Sequence, residues 1–511
     1  MSSKKVKILI LLPAIYFMVN IIIGMQSHFF QIHNDYWDLL HIAKQIDFLD
    51  VQSLFNPCIP AGYCLILHYI IKISQSVCIP IIVNLLCGTL VIGASLFFYR
   101  KITNEKTAVL SILFLALFPQ NLYYFNQGGA DPFSVLLFTT GIFMLLRQLV
   151  PDKSGNAYVF LTAGIIMGAG AFMRYHVLVG SVIFIFCLFP FYRHSWKLIA
   201  LSLAGVFIGY SPQILINLLA GHGVFESKLG ASNIYDLMYG INWYRLSTDP
   251  VPTDAIAIIS TDYFLFIKRY VVSFVKFMIQ TGAVPLAVAL ITKDNTRKRL
   301  AWFSTAFMVC YFGFFSSTLS GRQILIAIPL TMLFYGMLFE ELFSYSRNMG
   351  AKAGRLIKMA SAGFAIYLIC LFVIRDYEVM KNNIKEFRYS SDVSRYLKTA
   401  GCESAFQTFT TDYGLSFVDY KEPLGYFNGG WSRWGTYKYN DVYPEFPVDS
   451  MSAFVDTCRA RGVKFLLLTE DTKKLNAEFY DLYKLKNSVP EITFEKEIDR
   501  LRVFRIGGSS L

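Results

Sequence analysis

From Val6 to Ile374 apolar runs recur along the chain, each broken by a short polar or basic stretch, and beyond Arg375 they stop. A helix needs roughly 20 apolar residues to cross the hydrocarbon layer. The pattern therefore predicts eleven transmembrane helices, near residues 6–24, 77–99, 107–125, 131–147, 157–173, 177–192, 198–219, 271–292, 300–319, 323–343 and 357–374. Residues 25–76 are too polar for a simple turn, yet NPCIPAGYCLILHYIIKI is too short and interrupted to span. It predicts amphipathic or re-entrant helices at the interface. A second long loop, from Gly221 to about Tyr270, is rich in Tyr, Trp and Asn.

The tail has a different rhythm. VDSMSAFVDTCRARGVKFLLLTED reads as an amphipathic helix, a stop at Gly462 and a buried strand from Lys464 to Leu468. ITFEKEI and LRVFRI, around Asp499, read as a terminal hairpin. The expected organisation is a polytopic α-helical membrane part, 1–374, and a small α/β domain, 375–511.

Composition agrees: mean hydropathy is +0.45 and charged residues make up 16% of the 511, against about a quarter in soluble proteins. The net charge of +12 could suggest nucleic acid, but the cations sit in small groups between apolar runs. Positive-inside topology accounts for them. With the N-terminus inside, inner segments carry 18 Lys and Arg, and outer segments before residue 375 carry 8 over a greater length. An odd number of spans then puts both long loops and the tail outside the plasma membrane. Lys4, Lys5 and Lys7 ahead of an apolar stretch resemble a signal peptide, but the stretch is long and no small-x-small site precedes Gln26. It is read as an uncleaved first span. The nine cysteines form no C-x-x-C pair or His/Cys cluster, so no metal or redox motif is present. Cys402 and Cys458 both fall in the outer domain, and sequence leaves their pairing open.

The first outer segment, QIHNDYWDLLHIAKQ, bears His33, Asp35, Asp38 and His41. On a helix Asp35, Asp38 and His41 share a face. An interfacial helix with acids at its N-terminus is the plain structural account. Other ionisable groups fall at the same depth: Asp131 in FNQGGADPF, Arg174 and His176 in GAGAFMRYHVLVG, Arg322 in SSTLSGRQILIAIP, and Lys276 near the outer end of the eighth span. Such groups are costly at membrane depth and usually face an interior site. Structural accounts exist for each, with the cations snorkelling to headgroups and Asp131 capping its helix ahead of Pro132. As a set they suit one chemistry. Cations balance a lipid-linked phosphate as it leaves, and a carboxylate takes the proton of an attacking hydroxyl. Phosphate leaves without a second acid, unlike the leaving group of a glycosidase.

At these residues the chain resembles the GT-C superfamily of membrane glycosyltransferases, which use polyprenyl-phosphate sugars and include protein O-mannosyltransferases and the aminoarabinose transferase that modifies lipid A. Four segments over about 1–375 carry the resemblance: HNDYWDLLHIAKQ with NPCIPAGYCLIL; LFPQNLYYFNQGGADPFSVLLFTTGIFMLLR; TAGIIMGAGAFMRYHVL; and GRQILIAIPL. It implies a GT-C-like fold and an inverting glycosyltransferase of the plasma membrane. Asp35 stands where the family has its first-loop acid and is the candidate base, with Asp38 beside it. Arg174 and Arg322, with His176 and Lys276, match the donor phosphate's cations, while Asp131 and Tyr175 support the site or meet the acceptor. Many relatives have adjacent acids where this chain has Asn34 before Asp35, which weakens a divalent site. No metal ligand or cofactor is assigned, and a divalent ion stays open. The implied partners are a polyprenyl-phosphate-linked sugar, a glycan, lipid or protein acceptor, and membrane lipids, but not nucleic acid. GGWSRWGTYKY in the tail could stack on sugar rings or simply pack as an aromatic loop. The rivals are a transporter or flippase of lipid-linked glycans, and a glycan polymerase or ligase. Against transport stand the lack of a visible internal repeat, the charge on one face and the outer domain.

Overall fold

The computed structural model describes residues 3–26, 34–56, 59–74, 78–148, 156–192, 196–225, 234, 237–238, 255–316, 321–347, 349–401, 405–407, 425–427, 450–470, 477–486 and 488–507. The segment between the first two long helices contributes α2 (Asn34–Gln45) and α3 (Ala61–Ile73) after α1 (Ser3–Gln26). Then come α4 (Cys78–Ile102), α5 (Glu105–Ala116), α6 (Pro119–Phe125), α7 (Asp131–Leu146), α8 (Ala157–Met173), α9 (Tyr175–Cys187), α10 (Phe189–Tyr192) and α11 (Trp196–Leu219). The second half has α12 (Ala255–Thr261), α13 (Tyr263–Phe277), α14 (Ala283–Ile291), α15 (Asn295–Phe315), α16 (Gly321–Ile324), α17 (Ile328–Arg347) and α18 (Ala351–Thr399).

The segments expected to cross the bilayer are thus helical. Among the described residues four helices are long and apolar enough to do so: Cys78–Ile102, Trp196–Leu219, Tyr263–Ile291 and Ala351–Lys385. The α5–α6 pair, bent by 58°, makes a fifth when counted as one span. Proline at the first position of α6 accounts for that bend, since it cannot complete the preceding helical ladder. The chain is a multi-pass membrane protein.

Glycine sets the closest helix pair. A Cβ on Gly164 would lie 2.1 Å from the Ser202 carbonyl oxygen, one on Gly168 2.1 Å from that of Val206, and one on Gly209 2.2 Å from that of Ile165. α8 and α11 therefore meet backbone to backbone, the geometry that small residues four apart permit in lipid. Phe138, Phe184, Phe303 and Phe307 fill the centre between α7, α9 and α15, with edge-to-face rings 4.9 Å apart for Phe184 and Phe303. At the basic end of the bundle Arg297 reaches Glu340 at 3.0 Å and Glu341 at 3.3 Å, tying α15 to α17.

Beyond the bundle a five-stranded sheet has the order β2-β1-β3-β5-β4, with β1 (Ala405–Gln407) parallel to β2 (Gly425–Phe427) and β3 (Phe465–Leu468). β4 (Ile492–Ile498) and β5 (Leu501–Ile506) form the expected hairpin, and Asp499 in its turn takes φ 52°, a region aspartate tolerates. α19 (Met451–Ala460) and α20 (Ala477–Tyr483) cover one face through Phe454, Cys458 and Phe479. The other face packs on Tyr389, Val393 and Leu397 of α18. That helix runs 49 residues, about 74 Å at 1.5 Å per residue, so the boundary expected at 374/375 lies inside one continuous rod.

Candidate active site

The segment that leads into α7 is held from three sides. Asn126 Nδ2 donates to Asn20 Oδ1 at 2.8 Å and to the Leu122 carbonyl at 2.9 Å. Asn84, fully buried on α4, donates to the carbonyls of Gln127 (2.5 Å) and Gly129 (3.0 Å), which have no helical partners to use. The third hold comes from α2. A Cβ on Gly128 would lie 2.1 Å from the Tyr36 ring, so only glycine lets that buried ring lie flat on the loop. Tyr36 follows Asp35 directly. The backbone of α2 that carries Asp35 is thereby docked three residues ahead of Asp131.

Asp131 opens α7, but its carboxylate does not cap the helix: Ala130 is the N-cap residue and makes no side-chain cap. Oδ2 instead accepts from Arg174 Nη2 at 3.0 Å. The two side chains are only 7% and 12% exposed, so Arg174 is turned inward to an ion pair rather than outward to lipid headgroups. Arg174 sits at a break between α8 and α9, with extended backbone at φ −150° and ψ 123°. That break turns the side chain inward and leaves the first N–H groups of α9 facing the same region, where the helix end favours negative charge. His176 follows in the first turn of α9. Arg174, Arg322 and His176 all act electrostatically on Asp131. The Arg322 guanidinium lies 5.8 Å from the centroid of the Tyr124 ring on α6, a cation–π distance. Arg174 Nε and Asp131 Oδ1 are buried with no hydrogen-bond partner among the described residues.

Four of the residues singled out from sequence, Asp131, Arg174, His176 and Arg322, thus converge. Tyr175 turns to the segment between α2 and α3, its hydroxyl donating to the Asn56 carbonyl at 3.3 Å. Lys276 is exposed on the last turn of α13. Asp35, Asp38 and His41 lie on α2, but their side chains fall outside the described residues, as do His33, Cys402 and all of GGWSRWGTYKY. Among the described residues no three His, Cys, Asp or Glu side chains gather as a metal would require. Asn84, Asn126, Tyr36 and Tyr124 were not singled out. Asn84 carried a signal: an amide in the apolar run CIPIIVNLLCG must find a polar partner inside.

No family pattern and no characterised protein sequence matches the chain. Solved structures do. ArnT from Cupriavidus metallidurans in the apo state superposes over 98% of this chain and 98% of its own, with a TM-score of 0.56 at 13% identity. The same protein bound to undecaprenyl phosphate matches over 96% and 97%, with a TM-score of 0.58 at 12% identity. The chain has the GT-C fold. A weaker likeness, TM-score 0.47 at 12% identity over 90% of this chain and 70% of the other, links it to the Archaeoglobus fulgidus oligosaccharyltransferase. The match to ArnT covers nearly the whole of both chains.

Proposed function

We propose that the chain is an inverting glycosyltransferase that moves a sugar from a polyprenyl-phosphate donor to an acceptor hydroxyl at the outer face of the plasma membrane. The convergence of Arg174, Arg322 and His176 on Asp131, beside the docked helix that carries Asp35, supports this reading. Cations held in a part-buried cluster stabilise charge far better than the same groups in water. That ArnT, of the same fold, has been captured with undecaprenyl phosphate fits a phosphate ligand here.

In the proposed reaction Asp35 removes the acceptor proton, and the acceptor oxygen attacks the anomeric carbon as that carbon's bond to the phosphate oxygen breaks. The configuration inverts, the electron pair leaves with the polyprenyl phosphate, and Arg174 and Arg322 take up its extra negative charge. Arginine suits that task through its planar fork of donors. Arg174 Nε is a buried donor still to be satisfied. Asp131 holds Arg174 in place and offers Oδ1 to an acceptor group, with Tyr175 fixing the adjoining loop.

The test is to incubate the purified protein with a panel of polyprenyl-phosphate sugars and follow donor turnover. Asp35→Asn is expected to fold and lose about 10²–10⁴ in rate, the span of a general base; an active variant removes Asp35 from that role. Arg174→Ala and Arg322→Ala are expected to raise the apparent KM for the donor. Movement of an intact lipid-linked glycan across vesicles, without turnover, would establish transport instead.

A further inference from the structure

A second cavity lies at the opposite end of the bundle from Asp131, where α4 passes to α5 and α17 to α18. Its volume is about 440 Å³. Lys106 of α5, Arg347 of α17 and Lys358 of α18 line it from three elements. Among the described residues none of the three forms an ion pair. Glu340 is the one acid among the described lining residues, and it is already answered: Oε1 accepts from Arg297 at 3.0 Å and Oε2 from the Thr107 hydroxyl at 2.8 Å. The lining therefore presents a cationic surplus. The rest of its wall is mixed, with Leu110, Phe339 and Phe343 beside Asn104, Thr107, Ser344 and Ser346.

Three cations of mixed type with apolar side chains beside them match an amphiphile with a phosphate head. The cavity lies at the end of the bundle whose segments carry most of the Lys and Arg, the side that positive-inside topology assigns to the cytoplasm. We propose that it binds an anionic phospholipid of the inner leaflet, its phosphate held by Lys106, Arg347 and Lys358 and an acyl chain laid along Leu110 and Phe343. The site is separate from the one at Asp131 and does not depend on the transferase reading. Three juxtamembrane cations together are worth on the order of a hundredfold in affinity for an anionic surface.

Native mass spectrometry of the full-length protein with added phosphatidylglycerol or phosphatidylcholine tests it. One phosphatidylglycerol adduct is expected, retained at least about tenfold better than phosphatidylcholine. The triple variant Lys106→Gln, Arg347→Gln, Lys358→Gln should lose that preference, whereas Lys293→Gln with Arg299→Gln, on the same face outside the cavity, should keep it. Ser344→Trp, which fills the cavity without changing charge, should lose the adduct while leaving thermal unfolding unchanged. Equal retention of the two lipids, or equal loss of preference from the Lys293 and Arg299 changes, overturns the proposal. So does saturation of the site by inorganic phosphate with no lipid retained, which would make free phosphate the ligand.

Discussion

Arg174 and Asp131 form a pair that neither residue could leave without stranding the other. Both side chains are nearly buried, and each keeps one polar atom unused; Arg174 is the hydrogen-bonded partner of Asp131, and Arg322 and His176 also act on it electrostatically. Removing one partner of such a pair costs about 3–5 kcal/mol, mostly from the charge left behind, while replacing both by apolar groups of similar size costs far less. Asp131→Ala is therefore expected to lower the melting temperature of the detergent-purified protein more than the double change Asp131→Leu, Arg174→Met. Equal losses would show that the two charges are not coupled. Gly128 matters at the same scale for a different reason. It has no side chain because the Tyr36 ring occupies that place, and this contact seats α2.

Among the elements, the α8–α11 pair has the tightest contact, and four glycines, Gly164, Gly168, Gly205 and Gly209, make it possible. Lipid tails are as apolar as leucine, so burial gives helices little reason to associate; close backbone approach supplies dispersion contacts instead. Gly168→Leu would drive a side chain into the Val206 carbonyl and is expected to destabilise by about 1–3 kcal/mol or more, as overpacking does. Because α8 ends at Arg174, the same change should also weaken donor use. Gly363→Leu on α18 is the control, since a Cβ there meets nothing within 4 Å. A similar melting shift from both variants, read by thermal unfolding, would refute the packing account. The bend between α5 and α6 belongs to this scale too, as it turns Tyr124 toward Arg322.

For the molecule as a whole, α18 joins the bundle to the C-terminal sheet as one helix, packing on the sheet through Tyr389, Val393 and Leu397. Cys458, a free thiol fully buried on the opposite face of that sheet, is pushed up to about 12 by burial. It should resist alkylation at pH 8, where an ordinary thiol reacts. Lys381→Pro breaks the exposed middle of α18 at a cost of about 3 kcal/mol. The expected outcome is new protease cleavage near residue 381 and reduced turnover, with Cys458 still protected. Labelling of Cys458 in that variant would show that the sheet does not fold without the intact helix.

The pattern of apolar and polar positions alone placed the helical segments and the terminal hairpin, because each depends on local period. It also picked out Asp131, Arg174, His176 and Arg322, because ionisable groups are rare in apolar runs and stand out wherever they fall. What it could not decide was which of them meet. Lys276 has the same apparent depth as Arg322 yet its side chain is exposed, since depth along a helix says nothing about the direction a side chain faces across the bundle. Nor could it tell that Asp131 pairs with Arg174 instead of capping its helix, or that α18 runs through the expected domain boundary. Those outcomes rest on contacts between segments far apart in the chain: Tyr36 on Gly128, Asn84 on Gln127, Gly168 on Val206. Each is a fit of shape or hydrogen bonding across the bundle, and only the assembled bundle brings the partners within reach.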